Sequence, residues 1–206
     1  MSKILLLGGG GHCKACIDVI ETENIHSVAG ILVASDDPSR ELLGYPVLGH
    51  DSDLPALLAN AQAALVTVGQ IKSADTRVRL FNALVATGLA LPVIASPTAH
   101  RSRHSSVGRG TILMHGVVVN AHATIGENCI INSQALIEHD AEIGDHCHVS
   151  TGARVNGGVV VGERSFVGSG VVIKQGVRIG ANVVIGAGQT VLKDLPDGSW
   201  LMGAAS

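Results

Sequence analysis

The stretch INSQALIEHDAEIGDHCHVSTGARVNGGVVVG, Ile131–Gly162, decides the fold by its spacing. Ile131, Ile137, Ile143, Val149, Val155 and Val161 fall six residues apart, and the register continues in both directions. Backward it meets Ile125, Val119, Leu113 and Val107; forward it meets Val167, Ile173, Ile179, Ile185 and Val191, fifteen aliphatic positions without a break. Two residues ahead of each stands Ser, Thr, Ala, Cys or Val in fourteen of the fifteen, Gln189 being the exception. Gly108, Gly126, Gly144, Gly162 and Gly180 follow an aliphatic residue at intervals of eighteen, so three hexads make one larger repeat. Neither a helical period of ~3.6 nor strict alternation gives hits at every sixth residue. The pattern predicts an all-β parallel β-helix of about five coils. Its three faces are short parallel strands stacked ~4.8 Å apart around small and aliphatic side chains.

Upstream the period changes. KILLL (Lys3–Leu7), HSVAGILV (His26–Val33), AALVTVG (Ala63–Gly69) and LALPVIA (Leu89–Ala95) read as strands. Helical segments run between them over His12–Glu23, Ser52–Asn60 and Ala74–Thr87. This βαβαβ order predicts a small α/β, Rossmann-like domain over residues 1–95, with ligands gathered at the carboxyl ends of its strands. A polar connector, SPTAHRSRHSS at 96–106, leads into the prism domain at 107–206.

Composition narrows the partners. The chain has 206 residues, a formal charge of −3 and a pI near 6.3. No broad basic face supports attraction to nucleic acid or to an anionic membrane. The N-terminal apolar run is too short for a signal peptide or a membrane span. A cytoplasmic protein with reduced thiols is therefore expected.

The hexad register gives directions to the reactive side chains. Cys147 stands two before Val149 and points inward, while His146 and His148 point out of the prism. The apparent His-Cys-His cluster is thereby split, and no metal is expected. Cys129 and Cys147 stack in one inward column, where two reduced core thiols are expected over a disulfide. Cys13 and Cys16 form a lone CxxC on the first helix and are read as packing. His139 falls two after Ile137, near a prism corner, with Asp140 beside it. An imidazole held by a carboxylate suits general-base chemistry, although the residue types alone equally allow a solvated pair. GGGGH (Gly8–His12), between a strand and a helix, has the form of a phosphate-cradling turn, or of a glycine-rich turn with no ligand. A dinucleotide fingerprint is a poorer fit, because Cys13 stands where its third glycine belongs.

The aliphatic-Gly-x-x-small-x hexad resembles that of the hexapeptide-repeat acyltransferases, which implies a left-handed β-helix and a homotrimer with active sites between subunits. GGGGH, LGYPVLG (Leu43–Gly49), VTVG (Val66–Gly69), VVVNAHATIG (Val117–Gly126) and the Ile131–Gly162 stretch resemble one subgroup over nearly the whole chain. These are the sugar O- and N-acetyltransferases related to the sialic acid O-acetyltransferases, the UDP-4-amino-sugar N-acetyltransferases and the GDP-perosamine N-acetyltransferases. The resemblance implies that His139 is the general base and Asp140 raises its basicity. It implies acetyl-CoA contacts at His148, Gly157, Ser169 and Ala187, with the Gly157 N–H facing the thioester carbonyl. Gly10, Gly11, His12 and Gly69 would hold the nucleotide-linked sugar. The chain departs from the subgroup at Val33-Ala34, where many relatives have Asp-Asp, and at Gly203–Ser206, where they commonly have Gly-x-Pro-Ala-Lys.

The expected activity is acetyl-CoA-dependent acetylation of the 4-amino group of a nucleotide-linked amino-deoxy sugar, for example UDP-4-amino-4,6-dideoxy-N-acetylglucosamine, for bacterial glycan synthesis. Its rivals are sugar O-acetylation and a non-catalytic trimer that binds nucleotide sugars. A prism-shaped zinc carbonic anhydrase would need a His-x4-His pair, and no two histidines from His115 to His148 are five apart.

Overall fold

KILLL lies at the centre of a small sheet because Ile4, Leu5, Leu6 and Leu7 are all buried, with covered faces on both sides. The computed structural model describes residues 1–57 and 61–203. Its first unit runs β1 (Ser2–Leu7), α1 (Gly11–Glu23), β2 (His26–Val33), β3 (Glu41–Leu42), β4 (Tyr45–His50), α2 (Leu54–Leu57), β5 (Ala63–Val66) and α3 (Asp75–Thr87). The sheet order is β3-β4-β2-β1-β5, parallel except for the β3–β4 hairpin. The Rossmann-like order is thus present.

Three local expectations change. LGYPVLG supplies β4, a parallel partner of β2 absent from the strand assignment above. The helix expected over Ser52–Asn60 is a 3-10 turn at Asp51–Asp53 followed by α2, and 58–60 lie outside the described residues. LALPVIA does not close the sheet. Only Ala90 bridges to Ala63, while Ile94–Ala95 already pairs with Ile112–Leu113 of the prism.

The prism is a left-handed parallel β-helix whose faces, among the described residues, hold seven, six and five two-residue strands. The first face runs from Ile94–Ala95 to Trp200–Leu201, the second from His100–Arg101 to Thr190–Val191, the third from Ser106–Val107 to Arg178–Ile179. The coil therefore begins at Ile94. Residues 96–106, expected as a connector, carry the first strands of the second and third faces, His100–Arg101 and Ser106–Val107.

Each hexad aliphatic residue is the second of its strand and points inward, so the first residue of the strand points out. On the first face that outward column reads Ile94, Ile112, Ile130, His148, Phe166, Val184, Trp200. Its lower isoleucines are fully buried, in one continuous core with Cys13, Cys16, Ile17 and Ile20 of α1. The apolar column is what the N-terminal unit sits on. On the third face the column is Ser106, Thr124, Glu142, Val160, Arg178, largely polar and free of such cover.

Candidate active site

The corner between the second and third faces carries the expected base. His139 and Asp140 form one of its turns, and Asp140 adopts φ 60°, the left-handed conformation that these tight corners repeat. The His139 Nδ1–H donates to Asp140 Oδ2 at 2.8 Å. With that proton so placed, the neutral ring keeps its free lone pair on Nε2. The bond to Asp140 holds the imidazole pKa above its ordinary value, against an opposing desolvation and with the Asp140 and Glu138 charges adding to the rise. One coil on, eighteen residues later, Gly157 lies against the ring: a Cβ there would stand 2.6 Å from Cε1 and 2.7 Å from Nε2. The absence of a side chain at Gly157 is what lets the imidazole take this position.

The glycine turn forms a second centre. Gly8 has φ +115° and its α-carbon faces Val68 too closely for a side chain, which sets the sharp exit from β1. Gly10 is the N-cap of α1 and supplies no side-chain cap bond, so the first N–H groups of the helix stay available. Such groups, with the positive end of the helix dipole, favour an anion. Side chains added at Gly10 or Gly11 would meet nothing within 4 Å. The open space is a cavity of about 520 Å³ lined by the turn, Gly69, Asp37, Asp51, Thr76 and Arg79. A neighbouring cavity of about 350 Å³ shares Ala34, Asp51 and Arg79 and adds His50 and two serines. Gly10, Gly11, His12 and Gly69 all line this one cavity. Thr76 and Arg79 were missed, since α3 reads by its period as an ordinary amphipathic helix.

His148 lies outside the prism as the register requires, but it is not exposed. The loop after β5 covers it, leaving 7% accessible. Its Nδ1–H donates to the Gln70 carbonyl at 2.7 Å and its Nε2 accepts from Asn132 Nδ2 at 3.2 Å. Its ring centroid stands 5.1 Å from that of Phe166 and 6.4 Å from that of His12. Burial pushes the His148 pKa down to about 4, with the Arg77 charge adding to it. Burial, then Arg77, push His12 down to about 3. His12 stays partly exposed at the cavity surface, whereas His148 is buried beneath the loop. With both ring nitrogens engaged, His148 acts on its surroundings by fixing Gln70 and by presenting its ring edge.

Above His148 the outward column of Phe166, Val184 and Trp200 bounds an apolar cavity of about 260 Å³, with Trp200 the exposed member. Ser169 and Ala187 line it from the corner between the first and second faces, with Phe166, Ile71, Trp200 and Met202 around them. Ile71, Trp200 and Met202 are 63%, 55% and 58% exposed, a cluster of bare apolar side chains around this cavity. They were missed, although Trp200 continues the outward column. A single chain therefore places Ser169 and Ala187 at one corner and His139, Asp140 and Gly157 at the next, on either side of the second face.

The other reactive groups are accounted for by packing. All four cysteines are free and buried; Cys129 and Cys147 donate to the carbonyls of Gly144 and Gly162, and burial pushes Cys129 up to about 12. His146 packs edge-on against Phe81, away from His148, and among the described residues no three His, Cys, Asp or Glu side chains gather as a metal set. Ser96, His115 and Asp18 form a hydrogen-bonded chain at 2.7 and 2.9 Å. Ser96 is 3% exposed and also bonds Thr98, so this chain latches α1 to the prism and offers no nucleophile. Among the described residues, no helix is long and apolar enough to cross a membrane.

Comparison with protein families matches residues 3–84 to the PglD N-terminal domain. It also matches 104–139, 125–157 and 158–191 to the bacterial transferase hexapeptide (six repeats). Comparison with curated proteins gives no match. Among solved structures, the chain is similar to a histidine-to-asparagine variant of perosamine N-acetyltransferase from Caulobacter crescentus, in complex with CoA and GDP-perosamine. The identity is 35%, the TM-score 0.92, and 98% of this chain and 94% of that one are covered. The acetyltransferase domain of PglB from Neisseria gonorrhoeae, in complex with acetyl coenzyme A, is 28% identical with a TM-score of 0.88, covering 97% and 95%. WeeI from Acinetobacter baumannii shares the fold at 22% identity and a TM-score of 0.87, covering 98% and 97%.

Proposed function

The chain belongs to the hexapeptide-repeat sugar acetyltransferases, and from that premise we propose that it transfers acetyl from acetyl-CoA to the 4-amino group of a nucleotide-linked amino-deoxy sugar. The observation that carries the reading is the oriented base: Asp140 fixes His139 Nδ1–H, and Gly157 leaves room for the ring. Nε2 accepts the proton that the attacking nitrogen must shed, and returns it to the departing thiolate. The Gly157 N–H is offered to the acyl oxygen as charge develops there. No acyl-enzyme is required.

The cavity at the glycine turn suits a sugar diphosphate by its bare helix N-terminus, and Arg79, ion-paired with Asp51 at 3.3 Å, places a guanidinium on its wall. The apolar cavity suits the pantetheine arm by its small corner residues, Ser169 and Ala187, and its aliphatic and aromatic rim. Lys72 at that rim supplies a charge for a phosphate. Because the base corner and this cavity flank one face, a neighbouring prism packed against that face completes the site in a homotrimer. Partly buried Val118, Leu136 and Val172 on the second face favour such packing. A cytoplasmic location, where nucleotide sugars and acetyl-CoA are made, follows from the same reading.

Free-thiol release from acetyl-CoA against GDP-, UDP- and dTDP-linked 4-amino sugars, with mass spectrometry of the product, tests the proposal. An amide stable to mild base is expected. A base-labile ester indicates O-acetylation instead, and no thiol release with any acceptor defeats the reading.

A further inference from the structure

The segment between β5 and α3 touches both proposed substrate cavities. Gly69 lines the cavity at the glycine turn, Ile71 and Lys72 line the apolar cavity beside Ser169 and Ala187, and Gln70 lies between them. Gln70 is 3% exposed, and its fastenings are unequal. Its carbonyl is held firmly by His148 Nδ1–H at 2.7 Å. Its side-chain Nε2 reaches the Arg164 and Ser165 carbonyls only at 3.4 Å, and its Oε1 is buried with no partner. Upstream, the segment is pinned by Arg77, whose guanidinium donates to the Val66 and Val68 carbonyls and, across to the prism, to Asn128. A residue fixed at its backbone yet badly seated at its side chain is under-satisfied in a costly way. It gains when its neighbours shift to seat it.

We propose that Gln70, held through its carbonyl by His148, is a positioning residue that couples the two cavities. A nucleoside diphosphate at the glycine turn fixes Gly69, seats Gln70, and thereby sets the Ile71–Lys72 wall for CoA; CoA does the reverse. The coupling is reciprocal by thermodynamic necessity, and such couplings are commonly about 5-fold or more in affinity. Neither ligand needs to touch Gln70. This inference rests on reading the two cavities as the nucleotide-sugar and acetyl-CoA sites.

Calorimetric titration of the full chain with CoA, alone and at a saturating concentration of the best-bound of GDP, UDP and dTDP, tests it. CoA binding about 5-fold or more tighter with the diphosphate present is expected. In Gln70→Met, which keeps the bulk and removes the amide, and in His148→Phe, which keeps the ring and removes the donor, the factor falls below about 2. The readout is the ratio of two dissociation constants, which a general loss of packing does not move selectively. Equal CoA affinity with and without diphosphate in the unaltered chain overturns the coupling while leaving the transferase reading intact. Undiminished coupling in Gln70→Met overturns the role of Gln70. Failure of CoA to bind under either condition removes the transferase reading, and this inference with it.

Discussion

Asp140 Oδ2 stands 2.8 Å from His139 Nδ1 in a turn where the two are chain neighbours, so orientation of the base and tuning of its pKa come from one contact. The bond stabilises the imidazolium and raises the His139 pKa above the ordinary imidazole value. A general base works in its neutral form, so kcat/KM rises with pH through that raised value. Asp140→Asn removes the charge and moves the acidic limb to lower pH, toward ~6.5. His139→Ala lowers kcat by about 10²- to 10⁴-fold. A pH–rate profile of the three proteins checks both outcomes; a full rate in folded His139→Ala shows that the proton leaves by another route.

Gly157→Ala is a steric probe of the same base. Gly157 is outside the positive-φ positions, unlike Gly158 at φ 64°, so an alanine there causes no backbone strain. Its Cβ would nevertheless stand 2.6 Å from His139 Cε1, and the imidazole has to move. A displacement near 1 Å costs on the order of 10² in rate. Steady-state kinetics should show a fall in kcat, with a thermal midpoint close to that of the parent.

Acid should loosen the junction of the two units. His148 is neutral when folded, with its pKa pushed down to about 4 by burial. Unfolded, it titrates near ~6.5 and binds a proton that the folded state refuses. The unfolded state thus holds more protons between those values, and stability rises with pH across the window. The His148 contribution is fully present above ~6.5 and is lost as pH falls toward about 4, on the order of 3 kcal/mol in all. His12 extends the same trend to lower pH. Urea midpoints at pH 7 and pH 5 should differ less in His148→Phe than in the parent chain.

The prism was legible because its signal repeats: from Leu113 to Val191, every hexad aliphatic residue is buried and fills one layer of the same interior. The first coil was not legible, because stepping back six from Val107 reaches Arg101, which is exposed at the end of the prism and broke the pattern. His139 and Asp140 were legible as neighbours in sequence. The contacts that dock the N-terminal unit were not, since His148 meets Gln70 across 78 residues and Arg77 meets Asn128 across 51. Hydrogen bonds of that span leave no periodic trace.

Arg77 is the largest such contact, and the sign of its removal is decided by what it leaves behind. Its guanidinium is buried among four acceptors: the Val66 carbonyl at 3.1 Å, Val68 at 2.6 Å, and the Asn128 carbonyl and Oδ1 at 2.9 and 2.8 Å. Burial has a cost, visible in a pKa pushed down to about 10, which corresponds to roughly 3 kcal/mol. Arg77→Met recovers that cost but strands the acceptors, each at ~1–3 kcal/mol when buried without a partner. The stranded acceptors outweigh the relief, so Arg77→Met destabilises by at least about 1 kcal/mol, and imperfect filling by the shorter side chain adds to it. Arg77→Lys keeps the charge but cannot span the Val66–Val68 carbonyls and Asn128 at once, and falls between the two. Denaturant unfolding of the three proteins checks the order; a Met variant as stable as the parent would mean that the guanidinium is held there at no net gain to the fold.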